Sequence, residues 1–168
     1  MITPFLYLLL TVFATPETEE AKIFKLINEY RIKNGKKSLA YCDSLTYVAK
    51  VHAEDLFLNF SIENKDCYLH SWSNNTKWTG GCIPQAGTQD WRIMWNKPKE
   101  LTGMGAKGYE ISLMYTPKET PCDATVVVKQ WINSTGHRNC ILEKGWPRPF
   151  KRMGVGIFKG VATVWFAE

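Results

Sequence analysis

No stretch of this 168-residue chain is long and apolar enough to span a bilayer. The longest uncharged apolar run, Pro4 to Ala14, falls short of the roughly 20 residues a spanning helix needs. Paired Cys-x-x-Cys spacings are missing, which removes the usual structural zinc modules. HExxH and Gly-x-Ser-x-Gly are missing too, so neither the common zinc-protease pattern nor a serine nucleophile elbow is present. There is no arginine-rich helix or other nucleic-acid signature, and no internal repeat or low-complexity tract. Histidine is scarce: His52, His70 and His137 are the only three. Any chemistry that needs imidazole rests on them.

What is present describes one exported domain. A length of 168 residues and 45% apolar content suffice for a single substantial core. Met1 to Ala14 reads as a signal peptide, with Val12-Phe13-Ala14 placing a small residue before a cut. Residues 15–168 are then one domain, entered through the polar, acidic Thr15 to Glu20. Five cysteines agree with an oxidising compartment. Cys67 with Cys82 is the favoured bridge, because both flank one polar loop. Cys122 with Cys140 would bracket a helix and leave Cys42 over, although spacing does not fix connectivity. The net charge of +5 is mild. Its densest cluster, Lys144, Arg148, Lys151 and Arg152, reads as a solvated loop. A monomer is the default.

Periodicity predicts a helix from Thr18 to Asn34, with Ile23, Ile27 and Tyr30 on one side and Gly35 as the stop. A second helix runs from Ser44, as N-cap, to about Phe60. There Leu45, Val48, Ala49, His52 and Leu56 share a face, which puts His52 against the core. Residues 61–108 are irregular, and so long a loop in a compact domain is usually functional or held by a disulfide. Thr88 to Trp95 can form one short helix inside it. Tyr109 to Tyr115 alternates as a strand, and Asp123 caps a helix to about Asn133. Met153 to Phe158 and Val161 to Phe166 form a hairpin turned at Lys159-Gly160.

Three residues from separate elements carry the candidate chemistry. His70 lies in the aromatic stretch Tyr68-Leu69-His70-Ser71-Trp72. Glu110 lies on the strand face opposite Ile111 and Leu113. His137 follows a Ser-Thr-Gly turn in Trp131-Ile132-Asn133-Ser134-Thr135-Gly136-His137-Arg138. Two histidines and a carboxylate make a zinc set with water as fourth ligand. They equally make an acid/base pair in which Glu110 orients an imidazole. Each residue alone is also explained as a bonded core histidine or a strand glutamate. No separate cofactor-binding motif is present. Cys140, three residues past His137, reads as a bridged cysteine more readily than as a thiol nucleophile.

With these residues in hand, the chain resembles the CAP superfamily of cysteine-rich secretory, antigen 5 and pathogenesis-related proteins, nearest its bacterial-type SCP-like branch. Ile27-Asn28-Glu29-Tyr30-Arg31 with Asn34-Gly35 and Leu39 is similar to the family's first helix and turn. Leu45 to Asp55 is similar to its second helix. Trp131-x-x-Ser134-x-Gly136-His137-Arg138-x-x-Ile141-Leu142 is similar to its most specific motif, and Met153-Gly154-Val155-Gly156 to the strand that follows.

The resemblance implies an α+β fold, a three-layer α-β-α sandwich with a central antiparallel sheet and a large cleft. It implies that His70, Glu110 and His137 line the cleft and that the histidines hold zinc, as in several members. Tyr109 and Ile111 replace the family's glycine and asparagine around the glutamate. Ser134 stands where a second glutamate occurs in animal and plant members, and Cys140 replaces a common asparagine. The function implied is a secreted, non-catalytic binding module for a sterol, a fatty acid or a protein or cell-surface partner. The alternative is a zinc-dependent or acid/base hydrolase of peptide or cell-wall material, with His70, Glu110 and His137 as its catalytic residues.

Overall fold

In a computed structural model, the structure describes residues 17–61, 63 and 66–168. The predicted signal segment, Met1 to Ala14, lies outside them. The elements are α1 (Glu19–Lys33), β1 (Ala40–Tyr41), α2 (Asp43–Asn59), α3 (Arg92–Trp95), α4 (Lys97–Thr102), β2 (Tyr109–Met114), α5 (Ala124–Asn133), α6 (Thr135–Ile141), β3 (Arg152–Phe158) and β4 (Val161–Ala167). The strands form one sheet in the order β1-β3-β4-β2. β2, β3 and β4 pair antiparallel, and β1 adds two residues parallel to β3. β2 is therefore an outer strand.

Helices cover both faces of the sheet, as the three-layer expectation requires. On one face Ile23 and Ile27 of α1, Val127, Val128 and Trp131 of α5, and Ile141 of α6 pack on Val155, Val164 and Phe166. On the other, Leu45, Val48 and Ala49 of α2 pack with Trp165 and Ala167, and Leu56 packs with Met114 and Val161. Every residue of β4 is buried, which follows from its being sandwiched between the layers. Thr163 stays inside because its hydroxyl donates to the Ala49 carbonyl at 3.0 Å.

Local chemistry sets the helix ends. The Thr18 hydroxyl accepts from Ala21 N, Glu19 and Glu20 occupy the first turn of α1, and Arg31 and Lys33 its last. These charges complement the helix dipole. Gly35 takes φ +72°, the left-handed turn that stops the helix. The buried Arg31 guanidinium then ties α1 to the far side of the domain, 2.5 Å from the Ile141 carbonyl and 2.6 Å from Glu143 Oε1.

Several sequence expectations need correction. α2 begins two residues earlier than expected, so Cys42 and not Ser44 stands at its N-cap. Cys122 and Cys140 are not bonded, and both are buried free thiols, while Cys42 is free as well. Cys122 precedes α5 and Cys140 lies in α6, with all ten residues of α5 between them. The Ser-Thr-Gly stretch is no free turn either: Ser134 caps α5 and a new helix, α6, starts at once with Thr135.

Candidate binding cleft

Four residues from four elements meet around Glu110. The face of β2 that carries Glu110, Ser112 and Met114 looks toward α2, and α2 presents His52 to it. Glu110 Oε1 lies 2.6 Å from His52 Nδ1, and Oε2 lies 2.8 Å from His70 Nδ1. The carboxylate is fully buried. Burial alone would push its pKa up, but the positive charge and hydrogen bond of His52, with the hydrogen bond of His70, outweigh that and hold it below the usual value. Glu110 is accordingly a carboxylate.

The hydrogen bonds then assign protons. His52 Nε2 lies 3.0 Å from the Ser71 carbonyl, so both ring nitrogens of His52 face acceptors. A ring with a proton on each nitrogen satisfies both. The ring is sealed in, stacked on the Trp72 indole at 4.1 Å and 7°. His70 donates from Nδ1 to Glu110, which leaves its Nε2 lone pair directed away from the carboxylate.

His70 reaches this position because the irregular segment before β2 is fastened at several points. Cys67 and Cys82 are bonded, as expected. Asp55 of α2 accepts from Ser73 N at 2.9 Å and also from the Ser73 hydroxyl. The Ser71 hydroxyl accepts from Ile83 N at 2.8 Å. Replacing Cys67 and Cys82 with serine should cost about 3 kcal/mol, the loop-closure value for a separation of this size. Thermal melts with and without reductant check this, and equal melting temperatures would contradict it.

His137, in the first turn of α6, approaches from the opposite layer around the free edge of β2. It shares a cleft of about 710 Å³ with His70, Glu110 and the rings of Trp91, Trp95 and Trp146. Burial lowers its pKa, against a smaller pull from Glu110. Among the described residues it has no hydrogen bond to either. Cys140 also lines this cleft; burial pushes its thiol pKa far up, which makes it unreactive. The structure thus gathers His70, Glu110 and His137 around one cleft and adds His52, whose part in the site the sequence reading missed. Its signal was there: His52 falls on the inner face of α2, where a strand carboxylate can meet it.

Among the described residues no three of His, Cys, Asp and Glu converge as a metal-holding group. The donors at hand for the zinc that the resemblance implies are His70 Nε2 and His137. Glu110, with both oxygens on imidazoles, takes the place of the outer partner that orients a ligand. Two imidazoles facing one cleft are what the described residues offer such an ion, with no third donor beside them.

A mixed sheet clasped between helical layers, with paired histidines in a cleft at its free edge, defines the class. The model of the cysteine-rich secretory protein family, CAP, matches residues 24–160, and the chain belongs to that family. No curated protein matches the sequence. Solved structures share the fold. An extracellular SCP-domain protein from Bacillus anthracis aligns with TM-score 0.61 at 20% identity, over 89% of this chain and 40% of that one. A cysteine-rich secretory protein from Staphylococcus aureus aligns with TM-score 0.59 at 13% identity, over 89% and 38%. An outer surface protein from Borrelia burgdorferi aligns with TM-score 0.57 at 19% identity, over 92% and 96%. The chain therefore spans less than half of the first two proteins. No helix among the described residues is long and apolar enough to cross a membrane.

Proposed function

We propose that this chain is a secreted, non-catalytic binding domain whose working site is the aromatic cleft between His70 and His137. The observation that carries the reading is the cleft's composition. Three indoles and Tyr109 wall a volume of about 710 Å³, the size and character of a site for a ligand with a large apolar part. At its base the sole carboxylate has both oxygens engaged, so no free oxygen is available there to take a proton from a substrate. That removes Glu110 itself as the base, so the hydrolase alternative would have to use His70 Nε2, the ring that Glu110 orients. A divalent cation would be held by His70 Nε2 and His137, and zinc there would supply a Lewis-acidic centre. Export agrees with the extracellular and outer-surface descriptions of the structural relatives.

The test uses anilinonaphthalene sulfonate, an aromatic anion that brightens in apolar sites. The folded protein should bind it saturably, and Trp95→Ala with Trp146→Ala should weaken binding about ten-fold or more, the loss of two buried aromatic contacts. In parallel, zinc calorimetry should show a site lost in both His70→Ala and His137→Ala. A folded protein that binds no dye, or binds it equally in the tryptophan variants, would sink the cleft reading. Zinc binding untouched by the histidine variants would sink the metal part alone.

A further inference from the structure

The floor of the cleft is main chain as much as side chain. Tyr115 N donates to the Gly160 carbonyl at 2.9 Å, and β2 pairs with β4 in the same register, Tyr109↔Phe166 through Met114↔Val161. In an antiparallel ladder the bonded residues alternate. Leu113, Ile111 and Tyr109 therefore turn their N–H and C=O groups toward β4. Glu110, Ser112 and Met114 turn theirs to the open edge. The Ser112 carbonyl is met there by Trp131 Nε1 at 3.3 Å, which confirms the direction. The N–H groups of Glu110 and Ser112 and the Glu110 carbonyl have no partner among the described residues.

This edge lies inside the cleft, not on open surface. Glu110 is 5% exposed as a residue while its side chain is 0% exposed, so the part of it that lines the cleft is backbone. Ser112 lines a second hollow of about 230 Å³ that shares both His70 and His137 with the first. The two hollows together follow β2 from Tyr109 to Ser112, with His70 and His137 common to both. Unpaired strand groups in such a setting are a template for another strand. The charge is also specific. With Glu110 paired to His52 and His70, Lys107 is the one formally charged lining residue of the larger hollow without a salt-bridge partner among the described residues. Its ammonium sits 4.6 Å from the Trp95 ring centre.

We propose that the ligand of this cleft is an extended peptide, added as a strand to the free edge of β2, with aromatic or aliphatic side chains among the indoles and an acidic group near Lys107. The inference rests on the binding reading above and names its ligand class. A peptide running parallel to β2 donates one N–H to the Glu110 carbonyl and accepts at the same residue's carbonyl from Ser112 N–H. That direction leaves the Ser112 carbonyl to Trp131. It also places the acidic residue on the N-terminal side of the anchored one, because Lys107 precedes β2. A fatty acid tail or a sterol ring offers these main-chain groups no donor or acceptor. Strand addition satisfies them.

The experiment screens the native protein against blocked octapeptides that alternate Val or Thr with aromatic residues and carry one Glu at each position in turn. Binding is read by displacement of anilinonaphthalene sulfonate. Members with Glu toward the N-terminal side should bind best, and Lys107→Glu should reverse that preference. Methylating the backbone nitrogen of the best peptide, residue by residue, should weaken binding about ten-fold at the anchored position and little at its neighbours, the signature of one lost main-chain bond. Ser112→Pro removes the outward N–H without touching the β4 ladder, a substitution edge strands accept. It should weaken peptides by a similar factor if circular dichroism shows it folded. The methylation scan decides the matter if it does not. No peptide bound below about 1 mM by a protein that still binds the dye overturns the inference but leaves the cleft reading standing. So do a flat methylation scan, displacement of the dye by laurate alone, and pairing of the edge with a second copy seen as a concentration-dependent dimer.

Discussion

Replacing Glu110 with alanine should lower stability by about 3–5 kcal/mol, the range for removing one partner of a buried ion pair. The reason is what the substitution leaves behind. His52, fully buried, would lose the acceptor at its Nδ1 and keep only the Ser71 carbonyl and the Trp72 ring as partners. In a domain of this size the melting temperature should fall by about 6–20 °C. Removing both partners together, as His52→Leu with Glu110→Leu, should cost less than the two single changes summed, because no orphaned buried group remains. A strictly additive double variant would contradict the buried pair.

The direction of the Glu110 pKa gives the same pair a pH signature in metal-free protein. Its folded pKa lies below the usual value of 4.5, so the unfolded chain takes up the proton first as pH falls. The stabilisation is therefore whole above about pH 4.5 and is lost below it, as pH drops through the folded pKa. Chemical denaturation in EDTA across that window should show wild-type stability falling more steeply than that of Glu110→Ala. Parallel curves would show that the carboxylate is not stabilised by its imidazoles.

How much of this was legible beforehand depends on whether a residue's role is local. Helix α1, the β3–β4 hairpin and strand β2 lie within a residue or two of their expected bounds, because apolar spacing and capping residues act over a few positions. The Cys67–Cys82 bridge was readable because both cysteines flank one loop. α6 was missed since Ser134, Thr135 and Gly136 all read as turn residues, yet Ser134 ends one helix and caps the next in the same step. α4 was missed inside a segment whose order comes from tertiary bonds such as Asp55 to Ser73. His52 is the instructive case. Its burial could be read from helical spacing, but its bond to Glu110, 58 residues away, depends on how α2 lies across the sheet. That placement is decided by packing.

Two glycines hold that placement, and substituting either should have an effect as large as losing Glu110. Gly154 and Gly156 of β3 lie directly under α2. A Cβ built on Gly154 would stand 2.1 Å from Thr46 N, and one on Gly156 would stand 2.3 Å from Ala49 C and Lys50 N. These are backbone atoms, so no side-chain rotation relieves the overlap; the helix itself must lift. Gly156→Ala should therefore cost at least about 3 kcal/mol, the upper range for overpacking, and Gly156→Val should abolish the cooperative thermal transition. Because α2 carries His52, the lifted helix should also part His52 from Glu110. Any folded Gly156→Ala protein should then lose orientation at His70 and bind zinc more weakly than wild type. Gly105→Ala, where an added Cβ meets nothing within 4 Å, is the matched control and should be neutral by circular dichroism. A Gly156→Ala protein as stable as that control would mean that α2 does not rest on β3 as closely as described. The geometry that brings His52 to Glu110 would then need another support.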